Sequence, residues 1–559
     1  MSPDRAELLN LTQPGWIDFR QLPLSSGGFS QLFLDYLYDF HEVQRFFPHS
    51  FRESPPYDSL IGTIDKRELD RETLVNVLTR QSKSFRCGDR TLEHVVMLGK
   101  STTYAVVTGQ QVGLFGGPMY TIFKAVTAIR LSQRLKTKYP SLDFVPLFWI
   151  EGEDHDFIEM NNTSVLDGEG KPVRIEYLHG GIAPEKNLGP IGELVFDVSL
   201  DQTFASLDAA LQKSEFTGSL LEKLKEFYAP GTTFNQAFVG WMNFLFEEYG
   251  LVFLSSNDPE IKRLLSPMFV KEITEFPTTS QLVIAQSAEL EERYHAQIKP
   301  RSVNLFMFHR GGRYLVEPRE HDFSLRGTRH FISKEEMLQI AHQTPELLSP
   351  NVVLRPVAQD TLLPTVAYVA GPSEIAYHAQ LKPVYESFGV SQPVVYPRAS
   401  GSFVEERLER LMEKYQLDAS QLFDNVDTVT RLILAQIAEI KVDDLFGQAN
   451  AGIAEVINEI QFGLKEIDPT LLGTLEGVRS KINGNIAMLK EKAIGAQKRR
   501  NETAIRQIER AMNTLLPNGS LQEREINVLY YMNKYGPELV KWLCSELDIS
   551  GFKHQLITL

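Results

Sequence analysis

The sequence has 559 residues, 43% of them hydrophobic and 10% aromatic, enough for about three or four domain-sized units at ~150 residues each. Its 57 basic and 72 acidic side chains leave a formal charge of −15, which argues against a nucleic-acid or anionic-membrane binder as a whole. Two distant cysteines, Cys87 and Cys544, exclude a disulfide framework and a Cys-rich zinc cluster and fit a reducing cytoplasm; no run approaches the ~18 apolar residues of a membrane span, and the N-terminus has no signal pattern.

Residues 1–100 read as helical and irregular. Phe29–Phe47 is aromatic-rich and predicts a core-packing helix broken at Pro48, with further helical pieces at Arg67–Gln81 and Leu92–Leu98. The chain is organised around Tyr104–Leu135. Tyr104–Val107 reads as a buried strand, Gly109, Gly113, Gly116 and Gly117 as a glycine-rich turn, and Pro118 starts a helix with Ile122, Ala125, Val126 and Ile129 on one face. Strand, glycine loop and helix is how an α/β sheet brings backbone N–H groups to a ligand. The spacing fits neither the phosphate-loop lysine motif nor the dinucleotide fingerprint, so a simple helix-starting turn is the plainer reading. A second buried strand, Phe144–Ile150, ends in Glu151-Gly152-Glu153-Asp154-His155-Asp156. Ligands bind beyond the carboxyl ends of strands in open α/β sheets, so the glycine loop and the acidic cluster are expected at one edge.

Residues 160–231 change character and read as an insertion: a hairpin over Ser164–Leu178 turning at Asp167-Gly168, then two polar helices. Phe234–Tyr249 predicts an amphipathic helix and Leu251–Ser255 a third buried strand. Asn304–Val316 is a hairpin across Gly311-Gly312, and Asn351–Leu354 and Thr365–Val369 read as strands. The latter runs into Gly371-Pro372-Ser373-Glu374, the composition of a strand-to-helix turn with capping residues. Pro393–Pro397 reads as the last strand. From Phe403 the pattern is almost purely helical. Ile453, Val456, Ile460 and Ile467 hold heptad-like spacing, Asp468-Pro469 breaks it, and Leu475, Val478, Ile482 and Leu489, then Ile505, Ile508, Met512 and Leu515, resume it. This predicts a long antiparallel helical hairpin whose exposed apolar positions need a partner, hence a homodimer through the arm. The expected division is 1–159 (N-terminal helices and first half of an α/β core), 160–231 (connective insertion), 232–402 (second half), 403–516 (arm) and 517–559 (helical tail).

Four constellations could carry chemistry. Four acids crowd His155 between Glu151 and Asp156; crowding raises carboxylate and histidine pKa values and suits acid–base work or capture of an amine, while Asp154, His155 and Asp156 also have the donor types of a metal site. Glu374 and His378 share a helix face, with Tyr377 between them. Gln110, Gln111, Tyr120 and Lys124 surround the glycine loop, Lys124 suiting a phosphate or carboxylate. Lys492, Arg499 and Arg506 recur every seven residues on the second arm, with Arg510 close by; they read as a solvated face or as a binder of nucleotide phosphates.

Residues Thr108–Lys124 (TGQQVGLFGGPMYTIFK), Pro146–Phe157 (PLFWIEGEDHDF), Gly371–Pro383 (GPSEIAYHAQLKP), Leu516–Arg524 (LPNGSLQER) and Asn533–Val540 (NKYGPELV) resemble the cysteine-adding enzymes of bacillithiol biosynthesis, in the same order and over essentially the whole chain. The resemblance implies a Rossmann-like α/β core related to class I synthetases and nucleotidylyltransferases, a connective insertion and a dimerising C-terminal coiled-coil arm. It implies a cytoplasmic ligase joining the carboxyl of cysteine to the amine of glucosaminyl-malate, with an adenine nucleotide (ATP or ADP) beside the coiled coil. Two departures from that wider superfamily stand out: Gln110-Gln111 replaces the first-loop H-x-G-H, and Arg398-Ala399-Ser400 stands where K-M-S-K-S would. No zinc-holding Cys/His set is evident, and no metal is expected.

On this basis the catalytic candidates are His155 as general base, with Glu153, Asp154 and Glu374. The substrate-binding candidates are Gln110, Gln111, Gly116, Gly117, Pro118, Tyr120, Lys124, Trp149, Asp156, Gly371, Tyr377 and His378. The nucleotide-binding candidates are Arg499, Arg506 and Arg510. The rival classes are a non-catalytic dimeric metabolite-binding scaffold and a ligase for another amino sugar or thiol. Convergence of Gln110, His155 and Glu374 on one cleft favours an enzyme over a scaffold.

Overall fold

The computed structural model describes residues 15–22, 28–52, 56–181, 186–320, 322–437 and 441–559. After strand β1 (Gly15–Ile17) the N-terminal region is helical. The helix expected over Phe29–Phe47 is shorter: it runs Gln31–Tyr38 and gives way to two 3₁₀ turns, Phe40–Glu42 and Gln44–Phe46. The bent path lets Phe40, Phe47 and Phe51 close around the buried ring of Tyr36, which a straight helix could not do.

The core sheet starts with β2 (Thr103–Gln111), followed by α1 (Tyr120–Lys138) and β3 (Asp143–Glu151). Both strands are apolar on both faces because helices cover both sides. The hairpin β4 (Asn162–Leu166) and β5 (Pro172–Glu176) follows, then α2 (Phe234–Phe246), whose start is fixed by a Thr233/Gln236 capping box. Next come β6 (Val252–Ser255) and α3 (Pro259–Glu275).

Residues 305–350 form a second sheet that was expected only as a single hairpin. β7 (Leu305–His309), β8 (Gly312–Arg319), β9 (Asp322–Leu325), β10 (Phe331–Ser333) and β11 (Leu348–Pro350) pair antiparallel in the order β10-β9-β8-β7-β11. Asn351–Leu354, read as a strand from sequence, is instead the turn that starts α4 (Arg355–Leu362). Asn351 Oδ1 accepts from the Val353 and Leu354 amides and so bends the chain away from extended pairing. β12 (Thr365–Ala370), α5 (Pro372–His378) and β13 (Val394–Pro397) complete the core.

The core sheet is parallel throughout, ordered β13-β12-β2-β3-β6. The chain steps from β2 through β3 to β6, then crosses back to β12 and β13. The direction of winding reverses between β2 and β12, which is where open α/β sheets hold ligands.

β13 is not the last strand. β14 (Ser400–Val404) pairs parallel with β15 (His554–Thr558), and β15 pairs antiparallel with β1. The region expected as a helical tail holds three short helices, Gln522–Glu525, Val528–Tyr535 and Leu539–Glu546, and then the strand β15. The Ser-Gly-Ser start of β14 carries little strand propensity; its burial and its pairing with β15 hold it extended. Between them stands the arm: α6 (Val442–Ile467), a turn in which Asp468 caps Thr470, α7 (Leu472–Arg500) and α8 (Glu502–Leu515). The second arm is thus two helices broken at Asn501. α8 lies on the body, burying Ile508, Met512 and Leu515, whereas Val456, Ile460, Val478 and Leu489 further out stay exposed. Among the described residues no helix is long and apolar enough to cross a membrane.

Candidate active site

Two cavities adjoin at the carboxyl edge of the core sheet. The first, about 370 Å³, lies at the switch point between β2 and β12 and is lined by Gln110, Tyr120, Trp149, Tyr368, Gly371, Tyr377 and Arg398, among others. The second, about 730 Å³, lies between the end of β3 and the antiparallel sheet, with Asp154, His155, Lys299, Arg301, Arg313 and Arg326 in its wall. Gln111, Glu151, Val352 and Arg355 line both, so the two are lobes of one cleft. Gln110 and Glu374 thus meet the first lobe and His155 the second.

The floor of the first lobe is an ion-pair lattice. Lys124 Nζ lies 2.6 Å from Glu374 Oε2 and donates to Gly109 O at 2.9 Å and Gln110 Oε1 at 3.0 Å. Glu374 also accepts from the Tyr368 hydroxyl at 2.7 Å and from the Gly371 amide at 2.8 Å, capping α5. Burial works to raise the Glu374 carboxyl, but Lys124 and the Gly371 amide hold it below the usual range. Lys124, expected to take a substrate anion, is therefore engaged with Glu374. Gln110 Nε2 donates onward to the Tyr120 hydroxyl at 3.1 Å. Trp149 lines the lobe with its indole N–H unpartnered among the described residues.

The acidic cluster is divided by the strand end. Glu153 is fully buried behind the cleft, 2.6 Å from Lys262 Nζ, and accepts from Ser256 and Ser349. It lines neither lobe, which corrects its assignment to catalysis: its charge anchors α3 and β11 to β3. Asp156 is exposed and caps the turn at Phe157–Met160, so it too is corrected as an ammonium ligand. Asp154 accepts from Gln111 at 2.7 Å and from the His155 amide at 2.7 Å. Burial opposes its ionisation, but the His155 side chain, then Arg313, Gln111 and the His155 amide, keep its carboxyl well below the usual range. His155 Nδ1 lies 3.5 Å from both Asp154 Oδ1 and Arg313 Nη1.

Two further expectations are corrected. The loop Gly116-Gly117-Pro118 turns away from the cleft. Gly116 and Gly117 sit at φ +91° and +72°, as only glycine does readily, and the Gly116 amide donates to the Tyr228 hydroxyl. The carbonyls of Phe115 and Gly117 accept from Asn527 Nδ2. The loop is thus a structural joint with the C-terminal region, not an anion cradle. His378 is completely buried, stacked on Tyr377 at 5.0 Å and close to Tyr368 at 5.1 Å, with neither ring nitrogen partnered among the described residues. Burial, and after it Arg355, lower its pKa to about 3. It supports the cleft from behind and does not line it.

The structure adds residues that were not among the named site candidates, two of which, Glu151 and Arg398, the sequence had marked only by position. Glu151 closes β3 and faces both lobes; burial pushes its carboxyl up to about 7, Arg355 opposing and Glu153 and Asp154 adding. Its place as the first acid after the strand expected over Phe144–Ile150 was the available signal. Arg313 is held by Ser349 Oγ and Pro350 O and lies over the Phe306 ring at 4.0 Å. Arg355 reaches the Tyr377 hydroxyl at 3.1 Å. Arg398 enters the first lobe held by Glu523 at 2.6 Å, and the neighbouring Arg524 lines the same lobe.

The basic stripe divides as well. Arg506 pairs with Glu502 at 2.8 Å and Arg499 is exposed on α7. Arg510 lines a cavity of about 170 Å³, where it meets Glu169 at 3.2 Å beside Arg407 and Lys534. Among the described residues no group of three or more His, Cys, Asp or Glu side chains is placed to hold a metal ion.

Two family models match the chain: the bacillithiol biosynthesis BshC N-terminal Rossmann-like domain over residues 17–399, and the BshC C-terminal coiled-coil domain over residues 402–559. A protein of Salinibacter ruber named "Putative cysteine ligase BshC" is 37% identical over 540 residues, covering 96% of this chain and 98% of its own. Relatives of the same name from Chloroherpeton thalassium, 37% identical, and Chlorobaculum tepidum, 35% identical, each align over 551 residues, spanning 96% and 95% of this chain and 98% and 97% of theirs. With both domains matched end to end, and a Rossmann-like parallel sheet carrying a helical arm, the chain belongs to the BshC family of bacillithiol biosynthesis.

Proposed function

We propose that the chain is the ligase that joins cysteine to glucosaminyl-malate, the last step in making bacillithiol. The observation that carries this reading is the two-lobed cleft at the switch point. Amide formation needs two substrates side by side, and a scaffold has no use for two lobes sharing one wall. In a chain of net charge −15, the larger lobe gathers Lys299, Arg301, Arg313, Arg326 and Arg355 against Glu151 and Asp154. That surplus of cations suits the two carboxylates of a malyl group. The smaller lobe takes the cysteine, its wall offering Gln110, Ser373 and Arg398 to polar groups.

ATP, when bound at the cleft, would supply the activation that a carboxyl group needs to form an amide; the cavity beside the arm, which shares no lining residue with either lobe, suits a separate adenine nucleotide. Arg407, Arg510 and Lys534 have the chemistry to hold its phosphates, and a cavity of about 170 Å³ has room for those phosphates more than for a whole nucleotide. Arg510→Ala is expected to weaken ADP binding in titration calorimetry by roughly tenfold, as for loss of one charge-assisted contact; unchanged affinity sinks this placement. The exposed apolar residues of α6 and α7 favour a homodimer through the arm, and the free thiol of the product suits a reducing cytoplasm.

The test of the ligase reading is made in cells lacking the protein, with low-molecular-weight thiols labelled by a bimane and quantified by mass spectrometry. Loss of bacillithiol with accumulation of glucosaminyl-malate is expected. An unchanged thiol pool, with no second enzyme covering the step, overturns it.

A further inference from the structure

We infer, resting on the ligase reading above, that Glu151, not His155, is the group that takes the proton from the substrate's amine. A nucleophile held in one lobe and a carboxyl group held in the other must meet at the wall between them. Glu151 is the one carboxylate among the described residues that faces both lobes. It ends β3, its backbone paired beside Gln111 of β2, so it is carried by the rigid sheet and not by a loop.

Its immediate surroundings leave it ready for a ligand. Oε2 is buried and has no hydrogen-bond partner among the described residues, while the nearest cation, Arg355 Nε, stands 3.8 Å away, beyond direct bonding. A buried carboxylate oxygen without a donor is costly unless something else fills the place, and a substrate ammonium would do so. The other acids at the cleft are engaged: Glu153 with Lys262, Glu374 with Lys124, and Asp154 with Gln111 and the His155 amide. His155 faces only the larger lobe. A carboxyl pushed up to about 7 by burial is also close to the proton affinity a base needs at neutral pH.

The step is a simple transfer. The substrate enters as an ammonium ion and is held by the Glu151 carboxylate. One N–H proton passes to a carboxylate oxygen, leaving Glu151 as a neutral acid. The nitrogen keeps the electron pair, which forms the C–N bond to the carbonyl carbon of a cysteine carboxyl activated by ATP; the C–O bond to the phosphoryl or adenylyl group breaks, that group leaves with the bonding pair, and the second N–H proton is lost to solvent.

The test uses the purified full-length chain with cysteine, glucosaminyl-malate and ATP, product formation being followed by mass spectrometry from mildly acid to mildly alkaline pH. The wild-type rate is expected to rise through neutrality and then level. Glu151→Gln is expected to lower kcat by roughly 10²–10⁴-fold with little change in KM for cysteine. Its residual rate should keep climbing with pH, because solution then supplies the free amine. A purely structural role would instead lower the rate by one factor at every pH. Wild-type kcat in Glu151→Gln, or a profile parallel to the wild type's, overturns the assignment. If thermal melting shows that variant unfolded, Glu151→Asp decides: a displaced inflection supports the role and a parallel profile overturns it. A wild-type chain that makes no product would instead sink the ligase reading itself.

Discussion

His378 and His554 occupy the same physical situation by different routes. His378 is buried among rings with no hydrogen-bond partner among the described residues, while His554 sits 2.8 Å from Ser400 Oγ and 2.9 Å from Ser402 Oγ within the terminal sheet. Burial lowers their pKa values to about 3 and about 4, from 6.5. Each is therefore neutral in the folded chain at a pH where the unfolded chain would protonate it. Below about 6.5 the unfolded state binds the extra protons, so stability is full above that value and falls as pH drops toward 4, by about 1.4 kcal/mol per pH unit for each histidine. His378→Phe keeps the stacking and removes one titration. Its urea midpoint is expected to exceed the wild type's by a margin that widens between pH 6.5 and 4; a constant margin refutes the mechanism. This role was not legible in sequence, where the spacing of Glu374 and His378 marked a shared face but not which way that face turned.

The segment Gln522–Asn527 shows how one short element serves the cleft from outside the core. Glu523 holds Arg398 in the first lobe and accepts the Gly401 amide at 2.9 Å. Asn527 Nδ2 reaches Phe115 O at 3.1 Å and Gly117 O at 2.7 Å, clipping the glycine loop. Asn527→Ala leaves those buried carbonyls unmet at a cost of about 1–3 kcal/mol. Faster hydrogen exchange over residues 114–118, read by mass spectrometry, is expected; unchanged protection there would show that the clip is idle. The strands that build the core were readable because their apolar runs at Val106, Phe148 and Phe253 are covered on both faces. The C-terminal segment, β14 and the antiparallel sheet beyond its first hairpin were not, since their structure rests on distant partners and not on local pattern. For the same reason Arg313 and Arg355 were missed while Gln110, Trp149 and Glu374, at predicted strand ends, were found.

At the scale of the whole molecule, the cleft is marked by charge and the arm by exposed apolar side chains. Cations collect in the cleft of an acidic protein, and the arm carries exposed Val456, Ile460, Phe462 and Ile467. If the proposed dimer forms there, Ile460→Glu is expected to shift sedimentation from dimer to monomer; an unaltered coefficient would move the interface elsewhere. The three-stranded sheet has a further consequence, for the time at which the molecule comes into being. β15 lies between β1 and β14, and in the sequence the whole arm precedes it. On the ribosome, β1 and β14 emerge long before the strand that joins them. Arg524 and the Glu523 that steadies Arg398 also arrive only after the arm. A nascent chain stalled within the arm can have its parallel sheet but not its finished cleft, so interrupted translation yields a body without catalytic competence, not a partly active enzyme.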